Sequence, residues 1–159
     1  AIVSLYSVFA VQGLLMWIVS LPVQLGQVRE TPSFDVIGVV GFLAWCIGMF
    51  FEAVGDAQLA KFKRDPANKG LVMNRGLWRY TRHPNYFGDS CVWAGLGLIA
   101  AESRLGVFGL VGPVVMTILL VKVSGAALLD RAMLKRKPGY ETYVASTSGF
   151  IPRPPRNAK

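Results

Sequence analysis

Residues 2–25 form an uninterrupted run of 24 positions without a charged side chain. At about 1.5 Å per residue in an α-helix, a run of this length crosses a hydrocarbon core of roughly 30 Å. It lacks the basic segment and the small-residue cleavage site of a secretory signal. We therefore predict that this segment spans a membrane.

Composition extends this prediction to the whole chain. Of the 159 residues, 53% are hydrophobic and 16% are charged, and the mean hydropathy is +0.44, values that are atypical of a soluble domain. Apolar runs and helix breakers predict an all-α fold, a polytopic transmembrane helix bundle that forms a single transmembrane domain over residues 1–159. Its spans are placed at about 2–25, 36–60, 84–101 and 106–130.

The Lys and Arg residues predict how the bundle is oriented. Seven of them fall in residues 61–82 and seven in residues 131–159, whereas the two loops assigned to the other side carry only Arg29 and Arg104. The positive-inside rule then places the loop 61–83 and the tail 131–159 in the cytoplasm.

The net charge of +8 raises the question of a nucleic-acid partner. The cations lie in blocks between apolar segments, and no soluble domain presents a groove, so we predict contacts with the lipid bilayer and a phosphate-bearing ligand but none with nucleic acid. Contact with anionic lipid alone is the simpler interpretation, and it applies most readily to the tail cations Arg153, Arg156 and Lys159.

Ionisable side chains within the predicted spans are costly and are therefore candidates for function. Glu52 and Asp56 stand four residues apart, as do Asn85 and Asp89, so each pair shares one helical face. Asp130 ends the last span. These groups either pair with cations as neutral contacts between helices or line a wet cavity that holds a polar ligand, and we favour the cavity.

The stretch GLWRYTRHPNYFGD, residues 76–89, concentrates polar chemistry at the start of the third span. Pro84 suits the first helical turn, where its missing N–H has no intrahelical partner. The exposed N–H groups of that turn favour an anion, and Arg79 and Arg82 can bind phosphate. His83 alone does not indicate a binding site, and Tyr86 also fits an interfacial aromatic belt.

The sequence contains no familiar nucleotide-binding or metal-binding motif. The chain contains neither a Gly-rich dinucleotide fingerprint nor a P-loop, so a nucleotide would bind without a Rossmann fold. Cys46 and Cys91 match no metal-ligand spacing, and no metal site is predicted.

Two segments resemble a known family: FEAVGDAQLAKFKRDPANKGLVMNRGLWRYTRHPNYFGD, residues 51–89, and LLDRAMLKRKPGYETYVASTSGFIPRPP, residues 128–155. They look like the bacterial membrane proteins of unknown function that are grouped with the steroid 5α-reductase C-terminal domain. This resemblance implies an integral protein of the bacterial inner membrane. More distantly they are similar to isoprenylcysteine carboxyl methyltransferases, which share the R-H-P-x-Y element. Relatives with this signature carry further helices before the matched region, which implies that this chain is the C-terminal part of a larger bundle.

The reductase resemblance implies a membrane enzyme that holds NADPH in a cytoplasm-facing cavity and reduces a conjugated C=C bond of a sterol-like or polyprenoid substrate. It implies catalytic positions at Asn85 and Asp89, beside the nicotinamide, and places Asp56 and Lys63 at the adenosine and phosphate. The full set of predicted cofactor-binding residues is Glu52, Asp56, Lys63, Arg79, Arg82, His83, Asn85, Tyr86, Asp89 and Asp130.

Two alternatives stay open. The first is methyl transfer from S-adenosylmethionine to a lipid or prenylated thiol, with residues 82–86 (RHPNY) as the cofactor clamp. The second is a non-catalytic subunit that binds other membrane subunits through small-residue positions at Gly38, Gly41, Gly48 and Gly55.

Overall fold

The computed structural model describes residues 2–28, 35–123 and 125–156. Within these ranges all regular secondary structure is helical, apart from an isolated β-bridge between Thr81 and Ser148. The prediction of an all-α fold is confirmed. Arg29 and Lys159, which entered the charge argument, lie outside the described residues.

The α-helices alternate with short 3₁₀ and π segments. The α-helices are α1 (Ile2–Val19), α2 (Leu21–Gly26), α3 (Val36–Arg64), α4 (Pro84–Ala100), α5 (Val111–Ile118), α6 (Ala126–Arg136) and α7 (Tyr140–Ser146). The 3₁₀ turns cover Pro66–Asn68, Gly76–Arg79 and Gly106–Leu110, and a π segment covers Leu119–Val123.

The prediction of about four spans is not confirmed. Two helical runs, Val36–Arg64 and Gly106–Arg136, are long and apolar enough to cross a membrane. The helix α4 has 17 residues and is shorter than such a span. The two long runs extend past their predicted ends at residues 60 and 130, so the predicted loop and tail both begin as helix.

The predicted first span is broken for a local reason. The carbonyl oxygen of Trp17, in the last turn of α1, accepts hydrogen bonds from Ser20 Oγ at 3.0 Å and Gln24 Nε2 at 3.1 Å. Pro22 then lies in the first turn of α2. Side chains that take over the terminal carbonyls, followed by a proline, end one helix and start another, and hydropathy alone does not show this break.

Large apolar side chains remain exposed along several helices. Trp17 on α1 is 58% exposed, Leu43 on α3 is 55% exposed, and Val114 on α5 is 58% exposed. Soluble monomers rarely expose apolar surface on this scale. An apolar environment, provided by lipid or by other helices, would satisfy these surfaces.

The described parts of residues 1–45 and 93–117 form one compact unit, and those of residues 46–92 and 118–159 form the other. In the first unit, a Cβ atom built on Gly41 would lie 2.8 Å from the carbonyl oxygen of Gly95. Glu102 Oε1 accepts hydrogen bonds from the backbone N–H groups of Asp35 at 2.6 Å and Gly38 at 3.0 Å, at the start of α3. An acidic group at a helix N-terminus stabilises the helix.

In the second unit, glycines again allow α3 and α4 to approach closely. A Cβ atom on Gly48 would lie 2.6 Å from the carbonyl oxygen of Gly88, and one on Gly55 would lie 3.3 Å from the Pro84 ring. These α3 glycines therefore pack against α4 of the same chain, and their contact with other membrane subunits stays a prediction. Whether residues 1–159 act as one transmembrane domain stays a prediction.

Candidate functional site

The candidate site lies entirely in the second unit, where the loop before α4 meets the tail. The helix α4 begins at Pro84, as predicted. Thr81, His83 and Pro84 are fully buried, and the Thr81 hydroxyl donates a hydrogen bond to the carbonyl oxygen of Phe150 at 2.8 Å. The R-H-P element is thus an interior feature of this unit.

Asp130 on α6 is the centre of a polar cluster. Its Oδ2 atom lies 2.7 Å from Arg82 Nη2 and 3.2 Å from Arg82 Nε, and its Oδ1 atom lies 3.0 Å from His83 Nε2. The hydroxyl of Tyr140 donates to the same Oδ1 at 2.6 Å. The side chains of Arg82 and Asp130 are only 13% and 16% exposed, so water screens this ion pair weakly. We call these four residues the Asp130 cluster.

The remaining bonds of the Asp130 cluster fix its geometry. Arg82 Nη1 donates to the carbonyl oxygens of Thr147 at 2.6 Å and Val144 at 3.3 Å, where it caps the C-terminal end of α7. The His83 ring stacks on Tyr86, with ring centroids 5.4 Å apart and planes 8° from parallel. Each guanidinium nitrogen of Arg82 therefore has a protein partner, and Arg82 acts as a positioning residue.

Two buried tyrosines of α7 complete this side of the unit. The Tyr143 hydroxyl donates to the carbonyl oxygen of Trp78, and Trp78 Nε1 donates to that of Gly55 at 2.9 Å. Burial raises the pKa of both tyrosine phenols above the ordinary value of 10.0, and the hydrogen bond to Asp130 raises that of Tyr140 further. Both phenols are therefore neutral hydrogen-bond donors at physiological pH.

Beside the Asp130 cluster lies an apolar cavity of about 270 Å³. Its walls are mainly aliphatic, aromatic and thioether groups, among them Leu59, Phe62, Trp78, Leu129, Met133 and Tyr140. Arg82 and His83 also line it, and Lys63 and Lys137 contribute charged side chains. The cavity suits a flat or lipophilic group.

A second group of polar residues lies on α3 and α4. Asn85 Nδ2 donates to Asp56 Oδ1 at 3.1 Å, and Asn85 Oδ1 accepts from the backbone N–H of Tyr86 at 3.0 Å. Glu52 is within electrostatic range of Asp89 and Asp56. We call Glu52, Asp56, Asn85 and Asp89 the acidic cluster.

The structure thus divides the predicted site residues into groups. Arg82, His83 and Asp130 come together, with Tyr86 stacked beside them, while the four residues of the acidic cluster form the other group. Lys63 is at the apolar cavity, and the exposed Arg79 lines a separate pocket with Asn74 and Thr142. The catalytic roles of Asn85 and Asp89 stay predictions.

Sequence reasoning missed Tyr140 and Tyr143. The signal available was a pair of aromatic residues three apart in a short segment, a spacing that places both on one helical face. Nothing in that spacing indicates Asp130 or Trp78 as a partner. Thr81 was missed for the same reason, because its bond to Phe150 joins residues 69 positions apart.

Comparison with known proteins now identifies the family. A family model described as "Protein of unknown function (DUF1295)" matches residues 1–147. The chain belongs to the DUF1295 family. This confirms the resemblance to a family of unknown function, while the membrane character of that family, its relation to steroid 5α-reductase and the bacterial origin stay predictions.

Two curated proteins are similar to this DUF1295 chain. It is 36% identical over 66 residues to "Probable O-methyltransferase ustE" of Ustilaginoidea virens, a match that covers 42% of this chain and 23% of that protein. It is 31% identical over 102 residues to an uncharacterised protein of Schizosaccharomyces pombe, with 58% and 27% covered. The chain thus spans about a quarter of the length of these relatives. No solved structure matches it.

Proposed function

We propose that this DUF1295 chain is the cofactor-holding part of a membrane-embedded, S-adenosylmethionine-dependent O-methyltransferase that acts on a lipophilic substrate. The observation that carries the proposal is the Asp130 cluster, which fixes the RHPNY segment against an apolar, aromatic-lined cavity. The similarity to a protein named as a probable O-methyltransferase supports the same reaction class.

The cavity fits part of this cofactor. Its volume of about 270 Å³ is close to the lower end of ligand pockets, about 300 Å³, and suits an adenosine group rather than cofactor and substrate together. Trp78 and Tyr140 offer aromatic surface to an adenine ring, and stacking of a base on an aromatic side chain contributes about 1–3 kcal/mol. Thus these residues would hold the adenosine.

The acidic cluster, whose residues do not line the apolar cavity, favours a cofactor that carries a positive charge. When bound, S-adenosylmethionine would supply an electrophilic methyl group on a positively charged sulfonium. Transfer to a deprotonated substrate oxygen would form a C–O bond, break the C–S bond and release neutral S-adenosylhomocysteine. The carboxylates of Glu52 and Asp56 stabilise a nearby positive charge and repel phosphates. Asp130 holds Arg82 and His83 in place. Only Pro84 separates His83 of the Asp130 cluster from Asn85 of the acidic cluster, so the two clusters are connected at the start of α4.

The proposal includes a membrane setting. It rests on the two helical runs long enough to span a bilayer and on the exposed apolar side chains along the helices. In this setting the substrate's apolar portion lies in lipid, and the basic loop 61–83 and the tail face the cytoplasm.

A second candidate, the NADPH-dependent reductase, is favoured by a basic pocket of about 300 Å³. Lys63, Arg64, Lys69 and Lys137 line it, and it shares Phe62, Lys63 and Lys137 with the apolar cavity. Cations beside an apolar cavity suit the phosphates of a dinucleotide whose base lies in the cavity.

Ligand binding separates the two candidates. The full chain in a neutral detergent is titrated with S-adenosylhomocysteine, S-adenosylmethionine and NADPH, with calorimetry and thermal unfolding as readouts. We expect the two adenosyl ligands to bind and to raise the unfolding temperature, and NADPH to do neither.

Two variants connect binding with the cavity. Met133→Trp fills the cavity without removing a member of the Asp130 cluster and should abolish binding, whereas Glu141→Gln, at an exposed position outside the cavity, should leave it unchanged. Binding of NADPH alone would replace the methyltransferase proposal by the reductase. Binding of neither class, or equal binding to Met133→Trp, would remove the cavity as a cofactor site.

A further inference from the structure

A second concave surface lies between the end of α7 and the tail and has a volume of about 300 Å³. We call it the tail pocket. The residues that give it its chemistry are Arg82, Ser146, Thr147, Ser148, Arg153 and Arg156. Among the described residues that line it, none carries a carboxylate. We propose that the tail pocket binds a phosphate group.

The tail forms a fixed wall of this pocket. Three of the five positions in residues 152–156 are proline, which has no N–H to satisfy. The other two N–H groups are both paired, since Arg153 N donates to the carbonyl oxygen of Tyr80 at 2.9 Å and Arg156 N to that of Ser146 at 2.8 Å. This stretch is therefore held in place without belonging to a helix or a sheet.

The same proline content explains why both arginines reach one pocket. A Pro-rich segment favours the polyproline II conformation, which has three residues per turn, so residues three apart share a face. Arg153 and Arg156 have this spacing, and both line the tail pocket. Both arginines thus line one volume while their backbone is fixed.

Charge points to an anion. Asp130 neutralises Arg82 at the pocket wall. Arg153 and Arg156 are exposed, and neither forms an ion pair within residues 2–28, 35–123 and 125–156. Guanidinium groups bind phosphate oxygens in a bidentate manner, and the nearby Ser148 hydroxyl is a further donor.

The phosphate can come from an anionic phospholipid headgroup or from a free phosphate, because both present the same oxygens. The site is independent of the proposed methyl transfer, and its test needs no catalytic activity. The full chain in a neutral detergent is titrated with short-chain phosphatidylglycerol, short-chain phosphatidylcholine and inorganic phosphate. Native mass spectrometry and the unfolding temperature report binding.

The variants compare two pairs of exposed arginines. Arg153→Gln with Arg156→Gln empties the tail pocket of its unpaired cations, and Arg131→Gln with Arg136→Gln removes the same charge from α6, outside the pocket. We expect saturable binding that is at least about tenfold weaker in the first double variant and unchanged in the second. Replacement of Arg153 and Arg156 by lysine keeps the positive charge but removes the paired N–H donors of the guanidinium groups. It should weaken binding less than replacement by glutamine does.

Each outcome decides the proposal. Preference for phosphatidylglycerol over phosphatidylcholine and inorganic phosphate assigns the site to a lipid headgroup, and binding of inorganic phosphate alone assigns it to a free anion. Equal weakening in both glutamine double variants would mean attraction by net charge and would overturn the site, as would the absence of binding to the wild type. If the glutamine variant of the tail does not fold, the comparison is made between lysine variants of the two pairs, Arg153→Lys with Arg156→Lys and Arg131→Lys with Arg136→Lys; equal effects of these two variants would overturn the site.

Discussion

Replacement of Asp130 by asparagine keeps the size of the side chain and removes the charge that pairs with Arg82. The amide oxygen of the new side chain can still accept from Tyr140 and His83, so the main loss is the ion pair. Breaking a buried ion pair costs about 3–5 kcal/mol because the partner charge remains buried. Since the two side chains are 13% and 16% exposed, we expect the lower end, about 3 kcal/mol.

Unfolding in a mild detergent, followed by tryptophan fluorescence and by helical circular dichroism, measures this loss. A cost of about 3 kcal/mol corresponds to a decrease of roughly 6–12 °C in the unfolding midpoint. Tyr140→Phe removes one hydrogen bond to Asp130 and should cost about 1 kcal/mol.

Glu141→Gln provides the matched control, because it neutralises an exposed acid on α7. It should change stability by less than about 0.5 kcal/mol. If Asp130→Asn is no more destabilising than this control, the Asp130 cluster does not hold the fold together, and the reasoning about its buried charge is wrong.

Two further predictions concern packing and pH. Gly48→Val should destabilise the protein by about 1–3 kcal/mol, because its Cβ would meet the backbone of Gly88, whereas Gly13→Ala, with open space around it, should be neutral or slightly stabilising. The same unfolding assay measures both variants, and equal effects would contradict the close approach of α3 and α4. Because folding raises the pKa of Tyr140 and Tyr143, their contribution to stability is complete below about pH 10 and is lost as the pH rises further. Tyrosinate absorbance should show two late-titrating phenols that disappear when both are replaced by phenylalanine; their ionisation together with the exposed tyrosines would contradict the burial argument.

Much of the fold follows from local sequence rules. The uncharged and apolar runs predict helices, Pro84 marks the start of α4, and the seven-residue spacing of Gly41, Gly48 and Gly55 places small residues on one face of α3. Each signal depends on neighbours within one or two turns. The prediction of one continuous helix over residues 2–25, which used hydropathy, was wrong at Ser20. There, side-chain hydrogen bonds to a backbone carbonyl end α1, and the sequence stays uncharged across the break.

For the candidate site as well, the sequence predicted one part and the tertiary structure supplied the other. The sequence alone singled out Arg82, His83 and Asp130 as candidate site residues, because ionisable groups are costly near apolar spans. Only the tertiary structure decided that Asp130 binds both of the others, that Tyr140 joins them, and that the tail bonds to Tyr80. These partners are separated by up to 73 positions, as in the bond from Arg153 to Tyr80. Helical periodicity relates residues a few positions apart, and contacts across such distances arise only when the helices pack.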